Sequence, residues 1–218
     1  IFFYCRSFFA RKKTPTIEEY QDIFGMIQNQ TERLSHLSEV LLDMTGIQSV
    51  ERSDFISLAE LTDEVCCDLA SIADQKKVEL IQEEGDCTVT GSYLLLYRAV
   101  YNLVENAIKY NHSGGKVTVK ISQTKALPAA HSKPADYALV EVTDTGIGIS
   151  PEYQEKIFAP FFRVDKSRSR AMGGAGLGLA LVAEIARQHG GQVKVLASSE
   201  QGSTIALVLP INSPLIEI

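Results

Sequence analysis

Residues 101–111, YNLVENAIKYN, set the strictest limit on what this chain can fold into. Wound as a helix, the stretch gathers Asn102, Asn106 and Lys109 within roughly 60° of one another. Leu96, Val100, Leu103, Val104 and Ala107 fall on the opposite side as an apolar stripe suited to a core. One face is therefore buried while the other holds two amides and an ammonium in line. Amide oxygens suit a hard cation that keeps several waters and shares phosphate oxygens, as magnesium does. Glu105 stands at the edge of that face, where a carboxylate can orient a water or hydroxyl nucleophile. Alone, the same pattern also fits a solvated face with capping asparagines.

Around this helix the chain divides in two. Residues 16–44 carry Ile23, Ile27, Leu34, Leu37, Leu41 and Leu42 at three- to four-residue steps, the pattern of a long helix that needs a partner helix. Residues 46–56 form a polar linker, so the boundary separates 1–48 from 49–218. In the second unit, Ser57-Leu-Ala-Glu60 is a capping box opening a helix to about Gln75. Short strands are expected at 78–82 and 88–90 around an 83–86 turn, then the asparagine helix from 92 to 110. Val117, Val119 and Ile121 alternate as a strand, as do Ala138, Val140 and Val142, with an exposed loop over 124–136. Residues 177–189 form a third helix stopped by Gly190-Gly191, and a closing hairpin turns at 200–202. The expected fold class is α+β, one mixed sheet with three helices on one face.

Composition narrows the function. A net charge of −6 leaves no basic footprint for nucleic acid. Cys5, Cys66, Cys67 and Cys87 show no metal-ligand spacing and read as reduced thiols of a cytosolic protein. Residues 1–9 are apolar, too short to span a bilayer and broken by Arg6. Ala10-Arg-Lys-Lys13 after them fits a cytoplasmic flank, which leaves open a clipped membrane segment, and the chain reads as a fragment of something longer.

Three more stretches carry chemistry. Asp144-Thr-Gly-Ile-Gly148 follows a strand, where a carboxylate can accept a hydrogen bond from an exocyclic amine such as adenine's. Gly173-Gly-Ala-Gly-Leu-Gly178 opens a helix and leaves backbone N–H groups free for phosphate oxygens. It is neither a Rossmann fingerprint nor a Walker A loop, for want of a preceding strand and of a Lys-Ser/Thr pair. Residues 158–170 join Phe158, Phe161 and Phe162, able to pin a loop, to Arg163, Lys166, Arg168 and Arg170, able to face polyphosphate.

In this order the set resembles the four signature boxes of the sensor histidine kinases, within the ATPase superfamily shared with DNA gyrase B, heat-shock chaperones and mismatch-repair ATPases. The resemblance covers roughly residues 57–210. It implies a two-layer α/β sandwich of the Bergerat type, a left-handed βαβ arrangement with a lid between Ile149 and Ala175, preceded by a long dimerisation-type helix. It also implies ATP and Mg2+ as ligands. Asn102 and Asn106 match the magnesium-phosphate asparagines, and Glu105 the candidate general base. Lys109 and Tyr110 match lid-side nucleotide contacts, Asp144 the adenine-binding aspartate, and Gly146 and Gly148 the adenine-pocket glycines. Gly174, Gly176 and Gly178, with Leu177 among them, match the phosphate loop, and Arg163 a lid arginine.

The family places a two-helix dimerisation and phosphotransfer unit before this domain. Residues 30–47 resemble its second helix, residues 11–16 the turn before it, and the acceptor histidine is expected upstream of residue 1. His36 lacks the following acidic residue and the downstream proline of an acceptor. His112 reads as a surface residue, with His131 and His189 equally plain. The implied partners are ATP, a response-regulator receiver domain and, through the helical region, a second copy of the chain. A conformational-gating ATPase of the same superfamily and a degenerate nucleotide-binding module remain the alternatives.

Overall fold

Alternating and helical apolar patterns produce the elements that carry the site. The structure, a computed structural model, describes residues 20, 21, 23–25, 27, 31, 50–125, 136–164 and 176–211. Helix α1 (Leu58–Lys76) starts where the Ser57 hydroxyl accepts the Glu60 N–H at 3.3 Å, the forward half of the expected capping box. It stops at Lys77, whose φ of 57° is left-handed. Strand β2 (Glu79–Gln82) follows, then β3 (Thr88–Gly91), α2 (Tyr93–Lys109), β4 (Lys116–Thr124) and β5 (Tyr137–Asp144). Helix α3 (Gly178–Gln188) and strands β6 (Gln192–Ser199) and β7 (Gly202–Pro210) complete the order.

The main sheet runs β2-β4-β5-β7-β6, with β2 parallel to β4 and every other pairing antiparallel. The period-2 pattern sends Val117, Val119, Val140, Val142, Leu207 and Leu209 to one side, where all are buried. Against them pack Leu61, Val65 and Leu69 of α1, Leu96, Val100 and Val104 of α2, and Val182 and Ile185 of α3, in one continuous core. Each fully buried Leu or Val there contributes about 1.5–3 kcal/mol. The opposite face of β5 and β7 holds a small cluster, Tyr137, Ala206 and Val208 with Leu139.

The structure departs from the sequence expectation in one respect. Asp54–Ser57, the end of the expected linker, is a strand (β1) that pairs antiparallel with β3 in a separate two-stranded sheet. The strands before and after the 83–86 turn therefore belong to different sheets. Ile56 turns into the core while Phe55 stays 72% exposed, and a strand so short leaves only one apolar residue inside to betray it. Of the long helix expected at 16–44, residues 20, 21, 23–25, 27 and 31 are helical, and the Thr31 hydroxyl donates to the Ile27 carbonyl at 3.0 Å. The rest of that helix, residues 1–19 and most of the 124–136 loop lie outside the described residues. No helix among the described residues is long and apolar enough to cross a membrane. Cys66, Cys67 and Cys87 are free thiols, and burial, with Asp63 and Cys67 nearby, pushes Cys66 up to about 11.

Candidate functional site

Helix α2 buries its apolar stripe, so its other face lines a cavity of about 540 Å³. Asn102, Glu105, Asn106 and Lys109 all reach it, as their three- and four-residue spacing requires. The Asn102 side chain donates from Nδ2 to the Arg98 carbonyl at 2.8 Å, which fixes the amide. Its Oδ1 faces Gly178: a Cβ on that glycine would lie 2.5 Å from Oδ1 and 3.7 Å from Asn106 Nδ2. The start of α3 reaches the asparagine row only because residue 178 has no side chain. Leu177, ahead of α3, makes no side-chain cap, so the N–H groups of the first turn stand at a positive helix end beside the Asn102 amide oxygen. That is a place for phosphate.

Two cations meet the same space. Burial pulls the Lys109 ammonium below its ordinary pKa; Glu105 opposes that, and Arg163 and Lys76 add to it. Arg163 enters the cavity wall from the opposite segment, and its Nη2 is buried with no hydrogen-bond partner among the described residues. A buried guanidinium nitrogen without a partner is costly, and an anion in the cavity would relieve it. Tyr110 sits beside them with its phenol pushed up by burial, against the pull of the Arg163 charge and with a further push from Glu105.

Asp144 ends β5 at another wall of the cavity. Burial raises its carboxyl above the usual range, while backbone hydrogen bonds from Gly146 and Ser203 hold it down. The Gly146 N–H donates to Asp144 Oδ1 at 2.8 Å. A Cβ on Gly146 would lie 2.5 Å from the Tyr110 carbonyl, which also accepts the Ile147 N–H at 3.3 Å. The Asp144 turn is thus clipped to the end of α2. Gly148 needs its left-handed φ of 67°, and a Cβ there would fall 1.8 Å from the Ser199 carbonyl. Val142, Ile147, Ile149, Leu179 and Ile205 supply apolar lining, so the cavity joins a flat apolar part, a buried carboxylate and a cationic, amide-rich part.

Of the residues singled out in the sequence, Asn102, Glu105, Asn106, Lys109, Tyr110, Asp144, Gly148, Arg163, Gly176, Leu177 and Gly178 all line this cavity. Gly146 lies behind the wall, in the turn. Gly173 and Gly174 lie outside the described residues, as do Lys166, Arg168, Arg170 and the lid over 165–175. The three phenylalanines do not act alike. Phe158 and Phe162 are half-buried, and Phe162 tilts onto Tyr153 with ring centres 5.7 Å apart. Phe161 is 60% exposed, because its left-handed φ of 63° turns the ring outward while its N–H donates to the Gly176 carbonyl at 2.8 Å.

Sequence reasoning missed the supports. Ser198 Oγ accepts the Ile149 N–H at 2.7 Å and lies 3.0 Å from Ser203 Oγ, tying the lid entrance to the last hairpin. Asn111, on the cavity wall, accepts from Thr145 at 3.2 Å and donates to the Lys116 carbonyl at 2.9 Å. Only the turn residues around them signalled anything. His189, taken as plain, is half-buried with both ring nitrogens engaged, whereas His112 is exposed as expected and His131 lies outside the described residues.

No group of three or more His, Cys, Asp or Glu among the described residues could hold a metal. Asn102 and Asn106 both line the cavity, and amide oxygens completed by water and phosphate are a donor set that would fit a divalent cation there.

Residues 91–213, more than half of the chain, match the family model described as "Histidine kinase-, DNA gyrase B-, and HSP90-like ATPase". The chain is 32% identical over 200 residues to the sensor histidine kinase RppB of Synechocystis sp., covering 89% of this chain and 42% of that protein. It is 35% identical over 185 residues to the sensor-like histidine kinase SenX3 of Mycobacterium tuberculosis, covering 83% and 43%. The chain thus spans less than half the length of these curated relatives. Among solved structures, the mycobacterial sensor histidine kinase MprB superposes with a TM-score of 0.57 at 29% identity, covering 72% of this chain and 97% of that one. The catalytic domain of histidine kinase ThkA gives 0.56 at 25% identity, covering 72% and 95%.

Proposed function

This chain belongs to the histidine kinase-, DNA gyrase B- and HSP90-like ATPase family, and from that premise we propose that it is the ATP-binding catalytic core of a sensor histidine kinase. Residues 49–218 would form the catalytic domain, and residues 1–48 part of a helical dimerisation and phosphotransfer region. The observation that carries the reading is the cavity itself. Asn102, Asn106 and the uncapped start of α3 meet there, with an Arg163 nitrogen that has no partner among the described residues on the same wall and Asp144 across an apolar lining.

In this reading Asp144 accepts the exocyclic amine of adenine, and the polyphosphate lies along the asparagine row under Lys109, Arg163 and the N–H groups after Gly176. Asn102 and Asn106 would hold magnesium, which when bound would neutralise charge on the phosphate oxygens. The chain's own contribution is positioning and charge stabilisation rather than covalent chemistry. Glu105, beside the asparagines, accepts the proton of the attacking group. The γ-phosphoryl passes to an imidazole nitrogen supplied by another segment of the full protein or of a dimer mate. From there it passes to an aspartate of a response-regulator receiver domain. We place such a core on the cytoplasmic side of a membrane, as part of a sensor protein.

Calorimetric titration with a non-hydrolysable ATP analogue, with and without magnesium, tests the nucleotide site. Magnesium-dependent binding that is lost in Asn106→Asp is the expected result. Unchanged affinity in that variant overturns the site assignment. Transfer of label from ATP to a separately supplied acceptor helix then tests the kinase step.

A further inference from the structure

The two helices that make the phosphate end of the cavity run antiparallel. Gly178, at the start of α3, abuts Asn102 midway along α2; His189, just past the end of α3, abuts Ser92 just ahead of α2. Each contact lies about 15 Å of helix from the other. The far contact is built around one imidazole. His189 Nε2 accepts the Ser92 N–H at 3.1 Å, and Nδ1 lies 2.8 Å from the Ile185 carbonyl. A backbone N–H only donates, so Nε2 carries the lone pair and the proton sits on Nδ1, donated to Ile185. The ring also abuts Gly91: a Cβ there would fall 2.7 Å from its Cδ2 and 2.9 Å from Nε2. Strand β3, helix α2 and helix α3 therefore meet on one side chain.

Other side-chain bonds also reach these helix ends, Asp54 accepting the Tyr93 N–H at 3.5 Å and Arg52 donating to Gln188 Oε1 at 3.2 Å, but neither joins the two helices to each other. Ser92 makes no side-chain cap to its own helix, and neither does Leu177 to α3. The axial position of α3, and so the distance from its first N–H groups to Asn102, is set by core packing, by the Arg52–Gln188 bond and by this ring, which ties α3 directly to the start of α2.

Resting on the ATP reading above, we propose that His189 is a positioning residue for the phosphate subsite, a neutral imidazole clamp that sets the register of α3 against α2. It touches no ligand. It acts on polyphosphate by holding Gly178 against Asn102, while the Asp144 end of the cavity stands on β5, the last hairpin and the far end of α2, away from the contact between α3 and the start of α2. Burial, with the Arg52 charge nearby, favours the neutral form that the clamp requires.

The test is a split between ligands. His189→Ala is titrated with the magnesium complex of a non-hydrolysable ATP analogue and, separately, with adenosine, at a temperature where circular dichroism shows the variant folded. Losing one buried hydrogen bond at the clamp is expected to weaken the analogue about fivefold and leave adenosine unchanged. His189→Gln, whose amide oxygen reaches the place of Nε2, is expected to bind like the parent, and His189→Asn, which reaches only the place of Nδ1, is not. Should the alanine variant unfold, the Gln–Asn contrast decides alone. Equal loss for both ligands, loss for neither, or equal behaviour of Gln and Asn overturns the clamp. A parent chain that binds neither ligand overturns the ATP reading instead. The clamp is then judged by amide chemical shifts of Leu179 and Ala180, which move on substitution of His189 if the register is transmitted and stay still if it is not.

Discussion

Gly178→Ala separates what the fold needs from what the site needs. Gly178 is the first residue of α3, and alanine is favoured over glycine inside a helix by about 1 kcal/mol. The added Cβ would stand 2.5 Å from Asn102 Oδ1, a contact that real structures do not tolerate. The obstacle is a side chain, so it can move. To do so Asn102 gives up its bond to the Arg98 carbonyl, worth about 1 kcal/mol. The gain and the loss offset one another, and the melting temperature is expected to stay within about 4 °C of the parent. Binding has no such offset. The Asn102 oxygen is turned from its place and a methyl group covers the helix start, so magnesium–ATP analogue affinity should fall at least tenfold, about 1.4 kcal/mol. Scanning calorimetry and isothermal titration on one preparation give both numbers, with adenosine as the control ligand. A variant that keeps full analogue affinity refutes the placing of phosphate between α3 and the asparagine row. A variant that melts far below the parent shows instead that the Asn102–Gly178 contact is structural.

Other perturbations probe the remaining walls. Asp144→Ala is expected to lose adenosine and ATP analogue alike, the reverse of the Gly178 pattern, since it removes the acceptor common to both; titration with the two ligands checks it. Arg163→Met removes a buried nitrogen that has no partner among the described residues, so the ligand-free chain should be as stable as the parent or about 1 kcal/mol more so, while analogue binding weakens and loses part of its salt dependence. Gly91→Ala drives a methyl group into the His189 ring and is expected to cost about 1–3 kcal/mol in a denaturant melt. His189 also gives a pH signature. Its folded pKa lies below the ordinary 6.5, so its contribution to stability is fully present above that value and is lost as pH falls through the folded one. Melts between pH 7.5 and 4.5 should therefore fall more steeply with acid for the parent than for His189→Gln, and equal slopes refute the neutral clamp.

The sequence made legible whatever repeats with a period or sits at a sharp turn. Helix α2 could be read in full because its core face and its ligand face are both written in the same eleven-residue stretch, and the spacing of Asn102, Asn106 and Lys109 survives folding unchanged. The glycines were legible for a different reason. At Gly146, Gly148 and Gly178 a backbone or a side chain approaches more closely than any Cβ permits, and such places leave a residue type behind. Strand β1 was not legible, because one buried residue in four makes no period. Its pairing with β3 is a contact across more than thirty residues that neither strand announces. His189 was the least legible. It ends a helix before two glycines, where any polar residue would do as punctuation, and its task is set by Ser92 and Gly91 on another part of the chain.

That difference follows from how this site is made. Residues that touch a ligand are few, chemically distinctive and grouped on single elements, so they are visible one segment at a time. The register between α2 and α3 belongs to no segment. It arises where the asparagine row of one helix meets the glycine start of the other at one end, and where an imidazole meets a backbone N–H at the opposite end. Neither contact alone fixes a rigid body, but two contacts at the ends of an antiparallel pair fix sliding and tilt together. Substitution at the far end should consequently change phosphate binding without touching phosphate, and double substitution of Gly178 and His189 should be less than additive, because each removes the same register. An additive loss in the titrations of the double variant would mean that the two ends of the helix pair act independently.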